Sequence, residues 1–337
     1  MNLLMITQKV DCSDPILGFF HRWIEEFAKH CENVTVIGQL VGRHILPQNV
    51  HVLSLKKEQG WPRFLQIVRF WFLIAYHARA YDTVLVHMTP VWVLLGYPWW
   101  FLTRKPVYLW YETRRGGFIL RKALWCVKKV FCATPDGLPF SSKKTVVTGH
   151  GIDTGFFKPG NDQQEPGLIV AIGRITRIKR LDLIIETFAK LPSSYHLVIA
   201  GGVITQKDRE EQEHLDELVQ RLSIHDRVVF TGFLTQTDVR ALVQKASLLL
   251  HAAGGGLDKV ILEAMACGCP LVCASEAALR VLPSSCSADH DSVFAKAQHL
   301  LTLSDAERQA LGSELRSRVL QGHALPTLIQ RITKEME

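Results

Sequence analysis

Residues Leu248–Ser275 read LLLHAAGGGLDKVILEAMACGCPLVCAS, and their order is that of a strand, a glycine turn, a helix and a second strand. Leu248–Ala252 is a short apolar run. Gly254, Gly255 and Gly256 follow with no side chains. Leu257–Ala266 puts Val260, Ile261, Ala264 and Met265 on one helical face. Gly268 ends that helix, Pro270 blocks its continuation, and Leu271–Ala274 is the next strand. A glycine turn feeding a helix N-terminus is an anion site. Its free amides point outward and the helix dipole adds roughly half a positive charge. Without Cβ atoms, a diphosphate can approach the main chain. Glu263, further in, is an acceptor for sugar hydroxyls. The same residues also read as a plain strand–helix turn with Lys259 and Glu263 as an i,i+4 surface pair.

Outward from this stretch, the pattern repeats along the chain. Short apolar strands alternate with helical spacing: Asn2–Thr7, a loop Asp11–Gly18, a helix Phe19–Cys31, then strands at Asn33–Leu40 and His51–Leu55. A long apolar helix at Arg63–Ala80, a strand Asp82–His87 and the aromatic stretch Val91–Leu102 follow. The first half closes with strands at Val107–Tyr111, Val130–Ala133 and Thr145–Thr148. Lys158–Pro166, KPGNDQQEP, is polar with two prolines and reads as a linker. After it the alternation restarts at Leu168–Gly173. Strand–helix alternation implies parallel sheets covered on both faces, and 337 residues with 47% hydrophobic content suffice for two such cores. Ligands of open α/β folds bind at the carboxyl ends of the strands. The first loop lacks G-x-G-x-x-G, which argues against a Rossmann dinucleotide site.

Charge and cysteines narrow the partners. Residues 1–155 hold 19 Lys+Arg and 10 Asp+Glu, a net +9; the remainder has 20 and 22, a net −2, which sums to the +7 of the chain. A basic first half suggests an anionic partner. Trp92, Tyr97, Trp99, Trp100 and Phe101 precede Arg104 and Lys105. Arg114, Arg115, Arg121, Lys122, Lys128 and Lys129 flank Phe118, Ile119, Leu120, Leu124 and Trp125. Aromatic and cationic side chains together suit an anionic membrane surface; alternatively the aromatics fill the core and the cations are solvated. No nucleic-acid motif is present. Cys267, Cys269 and Cys273 lack paired CxxC or histidine partners and read as buried thiols, not zinc ligands. No apolar run approaches the ~20 residues of a spanning helix, and Met1–Thr7 is too short for a signal peptide. A cytoplasmic protein is the expectation, peripheral on the inner membrane face if the basic aromatic face meets lipid.

The second half opens with GRITRIK, Gly173–Lys179, a strand end followed by cations. Arg174 and Lys179 suit phosphate oxygens; Arg177 and Arg180 compete for the role, and all four also read as solvated loop cations. The succession GHGIDTGFFKP, AIGRITRIKRLDLIIETF, LVIAGG, VVFTGFL and GGGLDKVILEAMACGCPLV resembles glycosyltransferase family 4, whose fold is GT-B. The likeness is strong over 145–275 and looser before it, although ITQKVDCSDPILGFFHRW also looks like bacterial members.

The resemblance implies an α/β, GT-B architecture: two doubly wound Rossmann-like domains facing each other across a cleft. It would place an acceptor domain at 1–157, a nucleotide-sugar domain at 166–317, and a C-terminal helix at about 318–337 packing back on the first. It implies that Arg174 and Lys179 hold the donor diphosphate, that Glu263 binds the ribose, and that the Gly256–Lys259 amides, with Gly255, Leu257 and Asp258, complete the cradle. The base would rest near Gly201, Gly232 and Leu234, with Gly18 also at the donor site. It implies retention of configuration, no cofactor, and no metal. The chain shows no Asp-x-Asp near a strand end, so leaving-group charge would fall to Arg174, Lys179 and the helix amides. The donor would be a UDP- or GDP-linked sugar and the acceptor a glycan or lipid-linked molecule.

Two departures stand out. The family usually has a second glutamate eight positions before Glu263; here Gly255 stands there, which leaves Asp258 or backbone groups to meet the sugar. The family often has a histidine after the strand Val107–Tyr111; here WYETRR follows, with Glu112 and Thr113. Glu112 is a candidate to orient sugar or acceptor, or a carboxylate paired with Arg114 or Arg115. His87 and His150 are proton-transfer candidates near strand ends.

Overall fold

A computed structural model describes residues 1–113, 116–160 and 164–337. The chain divides into two compact units, Met1–Gly151 with Ala324–Glu337, and Ile152–His323. The polar stretch expected as a linker, Lys158–Pro166, falls inside the second unit, and its residues 161–163 lie outside the described ones, as do Arg114 and Arg115.

The first unit is built on strands β1 (Asn2–Val10), β2 (Asn33–Val41), β3 (Val50–Ser54), β4 (Thr83–His87), β5 (Val107–Trp110), β6 (Lys129–Cys132) and β7 (Thr145–Val147). They pair in the order β3-β2-β1-β4-β5-β6-β7, and every pairing is parallel. A parallel sheet is buried on both faces, which is why its strands read as nearly unbroken apolar runs. The period of two still sorts side chains between faces. Leu3 and Met5 of β1 join the core under helices α1 (Phe19–His30) and the C-terminal helix Leu325–Met336. Leu4 and Ile6 point the other way, into the core under α2 (Arg63–Tyr76), α3 (Pro90–Leu102) and α4 (Phe118–Cys126). The C-terminal helix is tied to this unit by the Tyr108 hydroxyl, which donates to Met336 O at 3.2 Å, and by the ion pair of Lys129 with Glu335.

The second unit has strands β8 (Leu168–Ile172), β9 (His196–Ala200), β10 (Val228–Gly232), β11 (Leu248–His251) and β12 (Leu271–Cys273) in the order β10-β9-β8-β11-β12, again all parallel. Helices α5 (Leu181–Ala189), α6 (Gln206–Arg221), α7 (Gln236–Lys245), α8 (Lys259–Ala266), α9 (Val293–Leu301) and α10 (Asp305–Gly322) surround it; α11 is the Leu325–Met336 helix of the first unit. Capping boxes start α6 at Thr205 and α10 at Ser304, each satisfying two otherwise orphaned amides. Arg316 of α10 donates to Ala266 O, Phe157 O and Thr154 O, closing the C-terminal end of α8. The C-terminal helix expected at about 318–337 is Leu325–Met336; the chain breaks at His323–Ala324, so residues 318–322 still belong to α10 of the second unit. Cys267, Cys269 and Cys273 are buried thiols. Among the described residues no helix is long and apolar enough to cross a membrane.

Candidate functional site

The order of the second sheet reverses direction between β8 and β11. From β8 the chain moves to β9 and β10 on one side; β11 and β12 add on the other. The loops leaving the carboxyl ends of β8 and β11 therefore diverge and leave a crevice, the usual ligand position in such sheets. Those two loops are Gly173–Arg180 and Ala252–Asp258, the two stretches singled out by sequence.

They touch. The Gly254 amide donates to Ile178 O at 3.0 Å, and Lys179 Nζ forms an ion pair with Asp258, the residue that precedes α8. Gly254, Gly255 and Gly256 are exposed, with open space around the positions of their missing side chains save for an ordinary contact from Ile178 at Gly255. Gly255 has φ +119, a conformation that L side chains avoid. The departure from the usual glutamate at this position is thus built into the backbone path. Helix α8 starts at Lys259, two residues later than its apolar pattern suggests, because Asp258 is extended (φ −75, ψ 139) and its side chain caps no amide. That carboxylate is engaged elsewhere. Leu257 is buried beneath the turn, and Glu263 sits in the second turn of α8, half-buried, where its charge reaches Lys259. Desolvation lowers the Lys259 ammonium from its ordinary value, and Glu263 opposes the shift.

Asp258 is the hub. Its Oδ2 accepts from His251 Nε2 at 2.8 Å as well as from Lys179. His251 is buried at the last position of β11, and its Nδ1 lies 3.4 Å from Cys273 Sγ on neighbouring β12. Burial pushes the Cys273 thiol up to about 12, so it stays protonated. The Asp258 carboxylate can only accept, so Nε2 carries the proton that faces it. Burial alone would push the Asp258 carboxyl up. The hydrogen bond from His251 and the charge of Lys179 outweigh it and hold Asp258 well below the usual carboxylate range. A carboxyl depressed in the folded state contributes stability above its ordinary pKa, and this is lost as pH falls. Wild-type protein is therefore expected to lose stability between about pH 4 and about pH 2 more steeply than Asp258→Asn. Urea melts at the two pH values check this; equal slopes would remove Asp258 from the account.

The other cations of the loop are spent differently. Arg177 donates to the buried Glu211 at 3.3 Å, and Arg180 to Asp182 at 3.1 and 3.2 Å. Arg174 is exposed at the β8 end, where its charge reaches Asp208. Of the four competing cations, Lys179 is the one that pairs with the residue before α8, and Arg174 stands exposed at the strand end. At the β9 and β10 ends, Gly201 pairs with Gly232 in an isolated bridge, and the Phe233 ring packs on Gly202, where a Cβ would come within 2.6 Å of it. Leu234 is half-buried beside them.

Four candidates belong to the first unit. Gly18 precedes α1 in the loop after β1, its amide donating to Asp14 O at 3.0 Å. Glu112 follows β5, and its carboxylate accepts from the Ala133 amide at 2.6 Å, the Thr134 amide at 3.3 Å and the Thr134 hydroxyl at 2.9 Å. It thereby ties the end of β5 to the end of β6. The Arg114 and Arg115 partners considered for it lie outside the described residues. His150 is buried between two left-handed glycines, Gly149 and Gly151, beside Trp23, whose indole donates to Gly151 O at 3.2 Å. His87 is buried in an aromatic cage, stacked on Phe20 at 4.1 Å and Trp110 at 5.3 Å. Among the described residues, no group of three His, Cys, Asp or Glu side chains is placed to hold a metal ion. Sequence reasoning missed His251 and Cys273. A histidine closing an apolar strand carries no periodic signal, and only the β11–β12 pairing brings the thiol beside it.

Two doubly wound parallel sheets in one chain, the second with a glycine turn and helix N-terminus at its switch point, are the architecture of the GT-B glycosyltransferases. Residues 153–281, within the second unit, match the family of glycosyl transferases group 1, the stretch whose motifs carried the resemblance. Within the curated proteins, D-inositol 3-phosphate glycosyltransferase of Mycobacterium marinum is 29% identical over 141 residues, 39% of this chain and 30% of that protein. The same enzyme of Mycobacterium leprae is 29% identical over 148 residues, 41% of this chain and 34% of that one. The chain thus spans about a third of the length of these relatives. Similarity of fold runs through the whole chain. HepE of Anabaena, in complex with UDP, superposes with a TM-score of 0.77 at 18% identity and covers 99% of both chains. Sucrose-phosphate synthase of Thermosynechococcus elongatus gives 0.75 at 18% identity over 98% of each.

Proposed function

We propose that this chain is a glycosyltransferase that moves a sugar from a UDP- or GDP-linked donor to a glycan or lipid-linked acceptor, with retention and without a metal. One observation carries the reading: Lys179, the Gly254–Asp258 turn and the N-terminus of α8 meet at the carboxyl ends of β8 and β11. A diphosphate there would receive α8 amides and a lysine already pinned in place by Asp258. Arg174 supplies the second cation. Preorganised donors of this kind stabilise the charge that grows on a leaving diphosphate. Glu263 is the ribose acceptor, and the Gly202–Phe233 surface suits a base. Attack from the face that the leaving phosphate vacates lets that phosphate take the acceptor proton. HepE, crystallised with UDP and with UDP-glucose, supports starting with uridine donors.

A second reading has a specific observation behind it. At Gly255 the backbone takes a conformation hostile to the usual sugar-binding glutamate, and Asp258 offsets the charge of Lys179. A protein that binds nucleotide sugar without transferring it would show both. A panel of UDP- and GDP-sugars, assayed for binding, hydrolysis and transfer with and without a chelator, separates the two. Chelator-resistant release of UDP or GDP supports the enzyme. Tight binding with no release across the panel supports the second reading, and release of free epimerised sugar nucleotide without acceptor would mark an epimerase. Loss of turnover with the chelator would overturn the metal-free mechanism.

A further inference from the structure

Helices α2, α3 and α4 cover the same face of the first sheet. Phe70, Trp92, Trp100 and Leu124 represent their buried sides. A surface helix ordinarily turns a polar side outward; on these three much of the outward side is aromatic or aliphatic. Phe64, Trp71, Phe72 and Tyr76 of α2 are exposed, as are Phe101 and Leu102 of α3. The Trp71 indole donates to Leu95 O at 2.9 Å, which lays its ring along α3. On α4, Phe118, Ile119 and Trp125 are exposed, Trp125 to 86%. The sequence expectation of a basic aromatic face is thus corrected in its membership. Trp92 and Trp100 are core residues, while the exposed aromatics come chiefly from α2 and α4.

Beside α4 lies a groove of about 1080 Å³ whose far wall is Phe140–Lys144. Its sides are apolar, from Phe118, Leu124, Trp125 and Phe140, and its rim is cationic. Residues 116–145 contain six cations (Arg121, Lys122, Lys128, Lys129, Lys143, Lys144) and one carboxylate, Asp136. Two of the six are committed. Lys144 donates to Leu124 O, Trp125 O and Val127 O at the end of α4, and Lys129 pairs with Glu335. Arg121 and Lys122 lie over aromatic rings, Phe140 and Phe118, each at 4.3 Å. A ring holds a cation in place without neutralising it. Lys143 is exposed at the same mouth.

Fixed, unneutralised cations above apolar walls, continuous with exposed aromatics, match a ligand with an anionic head and a hydrocarbon body. We infer that the groove takes the phosphate headgroup of an anionic bilayer lipid on Arg121, Lys122 and Lys143, with Phe118, Ile119 and Trp125 seated at the interface. This goes beyond the transferase reading and does not need it, because seating requires no turnover.

The test is co-sedimentation of the full chain with vesicles of phosphatidylcholine alone, or of seven parts phosphatidylcholine to three of phosphatidylglycerol. Binding is expected only to the second, and is expected to weaken with salt. Arg121→Gln with Lys122→Gln should lower partitioning about thirtyfold, from two cations at about 1 kcal/mol each. Trp125→Ser should lower it as well, and its exposure makes misfolding improbable; thermal melts of both variants check this. Donor hydrolysis by the variants should match wild type, so failure here is separable from failure of the transferase reading. Equal binding to both vesicles, or unchanged binding in both variants, would overturn the inference. So would displacement by soluble glycerol phosphate, which would make free phosphate the ligand. A dimer formed without lipid and abolished by Trp125→Ser would assign the face to a second copy instead.

Discussion

Lys179→Ala is expected to weaken binding of a nucleoside diphosphate by about fiftyfold, as measured by titration calorimetry. A charge-assisted hydrogen bond contributes about 1.5–3 kcal/mol, which spans roughly ten- to hundredfold in affinity. The loss has two parts. The ammonium that would meet the phosphates is gone, and Asp258 is left as an uncompensated carboxylate beside them, because the ion pair with Lys179 is what balances it. The double variant Lys179→Ala with Asp258→Asn should therefore recover part of the affinity. Arg177→Ala is the control. Its side chain is almost fully exposed and donates to Glu211 on α6, so binding should be unchanged. Equal losses in the two single variants would mean a diffuse field instead of a built site. No loss in Lys179→Ala would place the diphosphate elsewhere.

Gly201→Ala is expected to destabilise the second unit by about 3 kcal/mol or more, the range of severe overpacking. A Cβ on Gly201 would lie 1.8 Å from the carbonyl oxygen of Gly173. That oxygen belongs to backbone and cannot swing aside. Its strand end is fixed by the hydrogen bond from the Gly173 amide to Ala200 O at 2.9 Å, and the next turn by the Ile175 amide on Gly202 O at 3.2 Å. Either the β8–β9 pairing opens or the cation loop moves, so nucleotide binding should fail with stability. All eight tryptophans lie within residues 23–125, so their emission follows the first unit. Far-UV ellipticity is the readout for the second. Gly254→Ala, with open space around the added methyl, should change stability by no more than about 0.5 kcal/mol. A Gly201→Ala protein that melts with wild type would show that the strand ends are looser than drawn.

Much of the frame was legible because its signals are local. Apolar runs of four to nine residues marked β1, β2, β8 and β11. Glycine and proline after Ala266 marked the end of α8, and turn residues bounded the loop after β1. The aromatic stretch from Trp92 to Phe101 was less legible. Both a core helix and an exposed face need large apolar residues, and periodicity cannot tell them apart when a helix is apolar nearly all round. Helix α3 buries Trp92 and Trp100 and exposes Phe101. Glu112 is similar: a carboxylate after a strand reads as a reactive group, but the turn after β6 brings amides to it.

By itself the sequence determined the strand–helix alternation, the glycine turn before α8, and the presence of cations after β8, since each depends on residues near one another along the chain. Tertiary structure alone decided which cation faces the turn. Arg174, Arg177, Lys179 and Arg180 are near equivalents in one dimension, and packing against α5, α6 and α8 assigns them different carboxylates. It also decided that Asp258 is braced by His251 and Cys273, because charge and hydrogen bonding act through space, between strands joined only by the sheet.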